Sequence, residues 1–268
     1  MVKIKVFLAE PQVLFREGIH FILSGEEDFD VIGETTSNEE ALPLIESNPP
    51  DVAVLSVADV KISGIDITRH IRRNMPSVFV VLVMEKKEPD KVFEAMKSGA
   101  SACLSKDSNP EQLLEMIKLV AQGSMPIIEE VFNPAVASLV LNEFADTTAF
   151  NEQFDNILAN LTPREKQIIN LIAGGNNLEQ TAEKMNLDED TVRHCVRIVL
   201  TKLIANEQTS HILEVAQRSL PFLFRPGRME SISRDYVSRA EFNDFKDHLM
   251  ERFKSFIGDL TPATKSKK

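Results

Sequence analysis

The chain reads as an α/β doubly wound domain with a five-stranded parallel sheet, followed by an all-α four-helix helix-turn-helix domain and a C-terminal helix. Three observations predict this. Over residues 1–123, short and nearly continuous apolar runs alternate five times with helical segments, the pattern of parallel strands covered on both faces. Over 161–218, capped helical segments follow one another closely, with Gly174 and Gly175 ending the first and Asn186 turning the second into the third. Over 219–268, a stretch broken by Pro and Gly leads into a long segment with a single apolar stripe. Residues 124–160 are expected to be a linker with a helix of its own.

Lys3 to Ala9 (KIKVFLA) is the first strand, and Val13 to Leu23 a helix with Leu14, Phe15, Ile19 and Ile22 directed inward. A strand at Phe29 to Gly33, a helix at Asn38 to Glu46 and a strand at Asp51 to Ser56 follow. Gly64 to Arg73 is helical, Val78 to Met84 (VFVVLVM) a buried strand, and Asp90 to Lys97 a helix. Ser101 to Leu104 is a short strand and Pro110 to Gln122 a helix. In such sheets the chemistry belongs at the carboxyl ends of the strands.

In the linker, Pro134 starts a helix whose Val136, Leu139, Val140, Leu141 and Phe144 can pack on a neighbour, while Ala145 to Ala149 is expected to be irregular. Thr162 is an N-cap, with Pro163 in the first turn and Glu165 three residues on, a capping box. Ile168, Ile169, Leu171 and Ile172 then form one buried stripe. A second helix spans Leu178 to Met185, with Ala182 small enough for close packing. Asp188 caps a third, running through Thr191, Val192, Val196, Val199, Leu200 and Leu203, which leaves Arg193, His194, Arg197 and, further along, Thr201 and Lys202 outside. Two helices joined by a tight turn, the second with basic side chains at i and i+4, fit a DNA major groove.

After Gln217, Leu220, Phe222, Leu223 and Phe224 are expected to pack locally. Val237 to Leu260 is a helix capped by Ser238, with a stripe of Phe242, Phe245, Leu249, Phe253, Phe256, Ile257 and Leu260. It can serve self-association or cover its own chain, and the pattern favours neither.

With 268 residues, 43% hydrophobic and 26% charged, the chain can bury two cores. The net charge of -11 excludes a general nucleic-acid coat and an anionic-membrane binder, though a local basic surface can still read DNA. No apolar run reaches membrane-spanning length and the start runs straight into a strand, so a cytoplasmic location is expected. Cys103 and Cys195 fall in different domains, which suits a reducing compartment. His20, His70, His194, His211 and His248 are scattered singly, without metal-ligand spacing, and neither a P-loop nor a Ser/His/Asp arrangement is present. No metal, cofactor or enzymatic activity is expected.

LTPRE, the A-G-G break, the A-E-K-M turn and TVRHCVRIVLTKL together resemble the C-terminal DNA-binding domain of the LuxR type, found in response regulators of the NarL/FixJ class. The resemblance implies that Arg193, His194 and Arg197 face base edges or phosphates, with Thr191 or Lys202 near phosphates. It also implies a dimer through Gln208 to Gln217. The chain departs from the family at Glu179, where a basic residue is usual, and at Asn206 and Glu207 after the third helix. Acidic residues outnumber basic ones from Leu161 to Gln217, and phosphate contacts supply most of the affinity for DNA, so such a domain must bind weakly, as a dimer or with a partner's help.

Over residues 3–123, REGI at Arg16 to Ile19, PDV at Pro50 to Val52, KSGAS at Lys97 to Ser101 and SKD at Ser105 to Asp107 resemble a response-regulator receiver domain. Receivers hold Mg²⁺ on an acidic pair after the first strand, accept phosphate on an aspartate ending the third, and carry a Ser/Thr at the end of the fourth and a Lys after the fifth. Here those positions hold Glu10 and Pro11, Ser56, Met84 (or Val83) and Lys106, and the usual fifth-strand aromatic is Cys103, so only Lys106 matches. Mg²⁺ needs several oxygen ligands, and a serine cannot form an acyl phosphate. Asp59, three residues past Ser56, is misplaced for a nucleophile. Lys106 is expected to survive as an ion-pair residue with Glu10, and Cys103 as core filler.

The resemblance therefore implies an orphan response regulator with a degenerate receiver, binding double-stranded DNA as a dimer without aspartyl phosphorylation. Two other classes stay open: an interaction protein whose helix-turn-helix binds protein, and a ligand sensor whose vacated receiver pocket holds a small molecule.

Overall fold

The computed structural model describes residues 3–58, 62–151 and 157–219. Asp59 and everything expected after Ser219, including the helix at 237–260, lie outside the described residues. The chain divides into two compact units, residues 1–214 and 215–268.

Five strands form one parallel sheet in the order β2-β1-β3-β4-β5, with β1 at Ile4–Ala9, β2 at Phe29–Thr35, β3 at Val52–Ser56, β4 at Phe79–Met84 and β5 at Ala102–Ser105. The order reverses at β1, and the doubly wound expectation holds. Because every β3 residue is buried, the strand must be covered on both faces. One face packs against α1 (Val13–Ser24) and α5 (Pro110–Ala121), around Val6, Leu8, Leu23, Val54, Val81 and Ile117. The other packs against α2 (Asn38–Ser47), α3 (Gly64–Asn74) and α4 (Pro89–Ser98), around Leu55, Ile71, Leu82, Met84 and Met96.

Helix α1 departs from expectation. Its buried stripe is Arg16, Ile19 and Leu23, whereas Leu14 is 89% exposed and Phe15 and Ile22 are half-buried. The helix is rotated so that Arg16, rather than Leu14, lies against the body. Its charge is met by Glu17 at 2.9 Å and by Glu34 on β2 at 3.9 Å.

The described residues that follow the sheet, 124–151, are mostly helical. A 3-10 helix, Pro126–Phe132, buries Ile127, Ile128 and Val131, and α6 (Pro134–Asn151) follows without the irregular stretch expected at Ala145 to Ala149. No Pro or Gly interrupts that run, so the backbone carries the helix through it. Val136, Ala137, Val140 and Phe144 of α6 join the α3/α4 side of the sheet to the core of the following helices as one hydrophobic cluster.

Those helices are α7 (Pro163–Ala173), α8 (Leu178–Met185) and α9 (Glu189–Ser219). Capping boxes at Thr162/Glu165 and at Asn177/Gln180 start the first two, and Asn186 in the left-handed region (φ 52°) ends the second. The third and fourth expected helices are one: α9 runs 31 residues without a break. Nothing from Glu189 to Ser219 is Pro or Gly, and Asn206, where a turn could form, is spent elsewhere. Its amide is 5% exposed and clasps the backbone of Ala159, accepting from the Ala159 N–H at 2.7 Å and donating to the carbonyl at 2.8 Å.

Candidate functional site

Two places answer to the expected site residues: the strand ends of the sheet and the first turns of α9.

At the strand ends, Glu10 follows β1 and is 3% exposed. The Lys106 ammonium, one residue past β5, lies 3.0 Å from Glu10 Oε1 and 2.9 Å from Glu85 Oε1. Gln12 supports both carboxylates, its backbone N–H donating to Glu10 and its side chain to Glu85. Burial works against charge on Lys106, but the bonds from Glu85 and Glu10 outweigh it and the pKa is raised. The same lysine bond lowers the pKa of Glu85. Lys106 thus forms the ion pair with Glu10 that was expected, and Glu85, directly after the end of β4, adds a second partner that was not read from the sequence.

Ser56, at the end of β3, is 1% exposed, and its hydroxyl donates to the Ala58 carbonyl at 3.4 Å. Asn38 lies over it, donating from Nδ2 to the carbonyls of Ser56 and Ile62. A Cβ at Gly64 would collide with the Ser56 carbonyl oxygen, so α3 starts in direct contact with the strand end. Met84 and Cys103 are core residues. Burial, with Glu130 nearby, pushes the Cys103 thiol up to about 12, which leaves it an inert filler.

Does this constellation suit the Mg²⁺ of receivers? Glu10 keeps one buried oxygen, Oε2, without a hydrogen-bond partner, but its other oxygen carries an ammonium and Pro11 beside it has no side-chain donor atom. One oxygen beside a fixed cation does not meet the demand of Mg²⁺ for several hard ligands. The residues present do not fit the ion. Among the described residues no group of three His, Cys, Asp or Glu could hold a metal either.

On α9 the expected residues separate. His194 and Arg197 are exposed and make no side-chain bond to the described residues. Arg193 is held: its Nε lies 3.1 Å from Glu129 of the 3-10 helix, and Glu189 and Asp190 lie within 4.0 Å of its guanidinium. The Thr191 hydroxyl donates to Asp188 at 2.7 Å as part of the helix cap. Lys202 is turned inward, with its ammonium 2.6 Å from Glu165 and 3.1 Å from the Asn160 carbonyl. Glu165 is buried, which by itself raises its pKa, yet the Lys202 and Thr162 bonds hold it below the usual carboxylate range.

Further along α9, Glu207 accepts from Arg69 of α3 at 3.0 Å and lies 3.3 Å from Lys97 of α4. Lys97 also meets Glu143 of α6 at 3.0 Å, so four helices share one ion-pair network. The departure read at Glu207 is therefore a contact to the sheet domain.

Residues 6–118 match the response regulator receiver domain, and residues 159–215 match the luxR family of bacterial regulatory proteins. The chain thus carries a stretch similar to a receiver domain and, after it, a stretch similar to the luxR type. The chain is 28% identical to the transcriptional regulatory protein DegU of Brevibacillus brevis over 223 residues, 79% of this chain and 92% of the relative. It is 29% identical to the nitrate/nitrite response regulator protein NarL of Escherichia coli (strain K12) over 198 residues, 74% of this chain and 88% of the relative. Among solved structures, the signal receiver domain of a NarL response regulator from Mycobacterium tuberculosis aligns with a TM-score of 0.45 and 30% identity, covering 46% of this chain and 99% of that one.

Proposed function

We propose that this chain is a DNA-binding transcription regulator that works in the cytoplasm, as a dimer and without aspartyl phosphorylation. The observation that carries the reading is Ser56, buried at the end of β3 under Asn38, where phosphotransfer would need a carboxylate. With no acceptor there, the receiver-like domain serves as a scaffold for the helix-turn-helix, and no catalytic role follows for it. DNA is read by the exposed His194 and Arg197, joined by Arg193 once its contact with Glu129 is given up. Thr191 and Lys202 act as cap and brace of the module, which leaves few direct phosphate contacts. Two copies joined through Gln208 to Gln217 offset that weakness, since linking two weak sites multiplies their affinity.

The test has two parts. Incubation with acetyl phosphate should leave the protein unlabelled, and label that is lost in Ser56→Ala or Asp59→Ala would sink the phosphorylation-independent reading. Binding to fragments of the source genome across a salt series should be sequence-selective and be lost in the Arg193→Ala/Arg197→Ala double variant.

A second reading is favoured by the engagement of Arg193 with Glu129: the α9 surface binds an acidic protein segment instead of DNA. Selective binding absent at every salt concentration would favour it.

A further inference from the structure

The strand-end site is filled by the Glu10, Lys106 and Glu85 contacts, but the space beside it is not. Between α1 and α5 lies a cavity of about 220 Å³, with walls that include Phe15, Ile19, Ile22, Val83, Leu104 and Leu113. Leu14 stands at its mouth, 89% exposed. We propose that this cavity is a binding site for a small, neutral aromatic compound with one hydrogen-bonding group.

Size, lining and charge each narrow the occupant. An apolar cavity of about 150 Å³ accepts benzene, so the volume here suits one ring or two fused rings. The walls are apolar apart from one end, where Ser105, Ser108 and Asn109 stand. Ser105 is committed to Glu85 and Asp107, and Asn109 Oδ1 to the α5 cap. The Ser108 hydroxyl and the Asn109 side-chain NH₂ bond to none of the described residues, which leaves a donor and a donor-acceptor for a ligand. Phe15 joins this cavity to the strand ends, with Lys106 Nζ 5.2 Å from its ring centroid. There one ammonium faces two carboxylates, a net negative charge that offsets the pull of the α5 N-terminus on an anionic guest.

Gly18 offers a place to close the space. It lies in the middle of α1 and lines the cavity, its φ is not positive, and a Cβ built on it meets nothing within 4 Å. Glycine is a poor residue inside a helix, and no backbone conformation or close contact here requires it. Gly18 is exposed at the rim, from which a long side chain can reach across the cavity.

This inference is independent of the DNA reading, and its experiment measures binding alone. Full-length protein with labelled methyl groups is titrated with indole and, separately, with benzoate, and thermal unfolding is followed in parallel. Saturable shifts of the Ile19, Ile22, Leu104 and Leu113 methyls with indole are expected, together with a rise in unfolding temperature, and neither with benzoate. Gly18→Ala keeps binding. Gly18→Leu fills the cavity, folds at least as stably, and weakens indole by at least about tenfold, a difference that direct titration resolves. Three results would overturn the proposal: no saturable shift at those methyls, equal affinity in Gly18→Leu, or indole silence in a protein that self-associates until Leu14→Glu makes it monomeric. The last outcome would assign this face to a second copy of the chain.

Discussion

Glu207, near the middle of the longest helix, accepts a hydrogen bond from Arg69 Nε on α3 at 3.0 Å. Arg69 also meets Asp66 and Glu94, each at 2.8 Å, so one guanidinium serves three carboxylates on three helices. The groups are about a quarter to a half exposed or more, which limits each pair to a fraction of its Coulomb energy. Arg69→Ala should lower stability by about 1–2 kcal/mol at low salt, because three carboxylates lose a shared partner. Urea unfolding in low and molar salt checks this: the loss should shrink as screening increases, and a salt-independent loss would assign the effect to packing.

The Glu10 and Lys106 side chains are 4% and 9% exposed, so removing one partner leaves a buried charge. Lys106→Met should cost about 3 kcal/mol, and the double variant with Glu10→Leu should recover most of it. Equilibrium unfolding of the two single variants and the double variant gives the coupling. The raised pKa of Lys106 fixes the sign with pH: its contribution is fully present below the unfolded lysine value of about 10.4 and is lost as pH rises through the higher folded value. A flat stability profile in alkali, identical to that of Lys106→Met, would refute this.

Glu165 acts in the opposite direction. Its folded pKa is lowered, so its contribution is present above the unfolded glutamate value of about 4.3 and disappears as pH falls through the lower folded one. Glu165→Gln should therefore flatten the acid limb of the unfolding profile and cost about 1 kcal/mol at neutral pH through the weakened cap and the lost Lys202 pair. Lys202→Ala should behave like a helix-turn-helix stability variant, with DNA affinity lowered only in proportion to unfolding.

For DNA binding the geometry ranks the side chains. Arg197→Ala should cost about 1–3 kcal/mol of affinity. Glu129→Ala, which releases Arg193, should instead tighten binding, by about threefold to tenfold if the contact is worth about 1 kcal/mol. Titration by fluorescence anisotropy at fixed salt distinguishes the two. Weaker binding by Glu129→Ala would mean that the contact positions Arg193 for DNA.

Much of the architecture was legible because it depends on local pattern. Short, valine-rich continuous apolar runs such as VFVVLVM read as strands buried on both faces, and Thr162-Pro163 with Glu165 marks a helix start through local contacts. The Lys106 to Glu10 pairing was legible through the resemblance to receiver domains, which places both residues at the converging strand ends of the sheet. The rotation of α1 was not, since Arg16 and Leu14 can exchange inside and outside according to where Glu34 lies on a neighbouring strand.

What the amino-acid order determined alone is the set of elements, the helix caps and the residue types at each strand end, all governed by interactions a few positions apart. Only the tertiary structure decided that α9 is unbroken, that Glu207 meets Arg69 138 residues away, and that Arg193 and Lys202 face carboxylates while Arg197 faces outward. Charge partners in space depend on how whole helices pack, and a long side chain on a helix surface takes whichever partner that packing brings within reach.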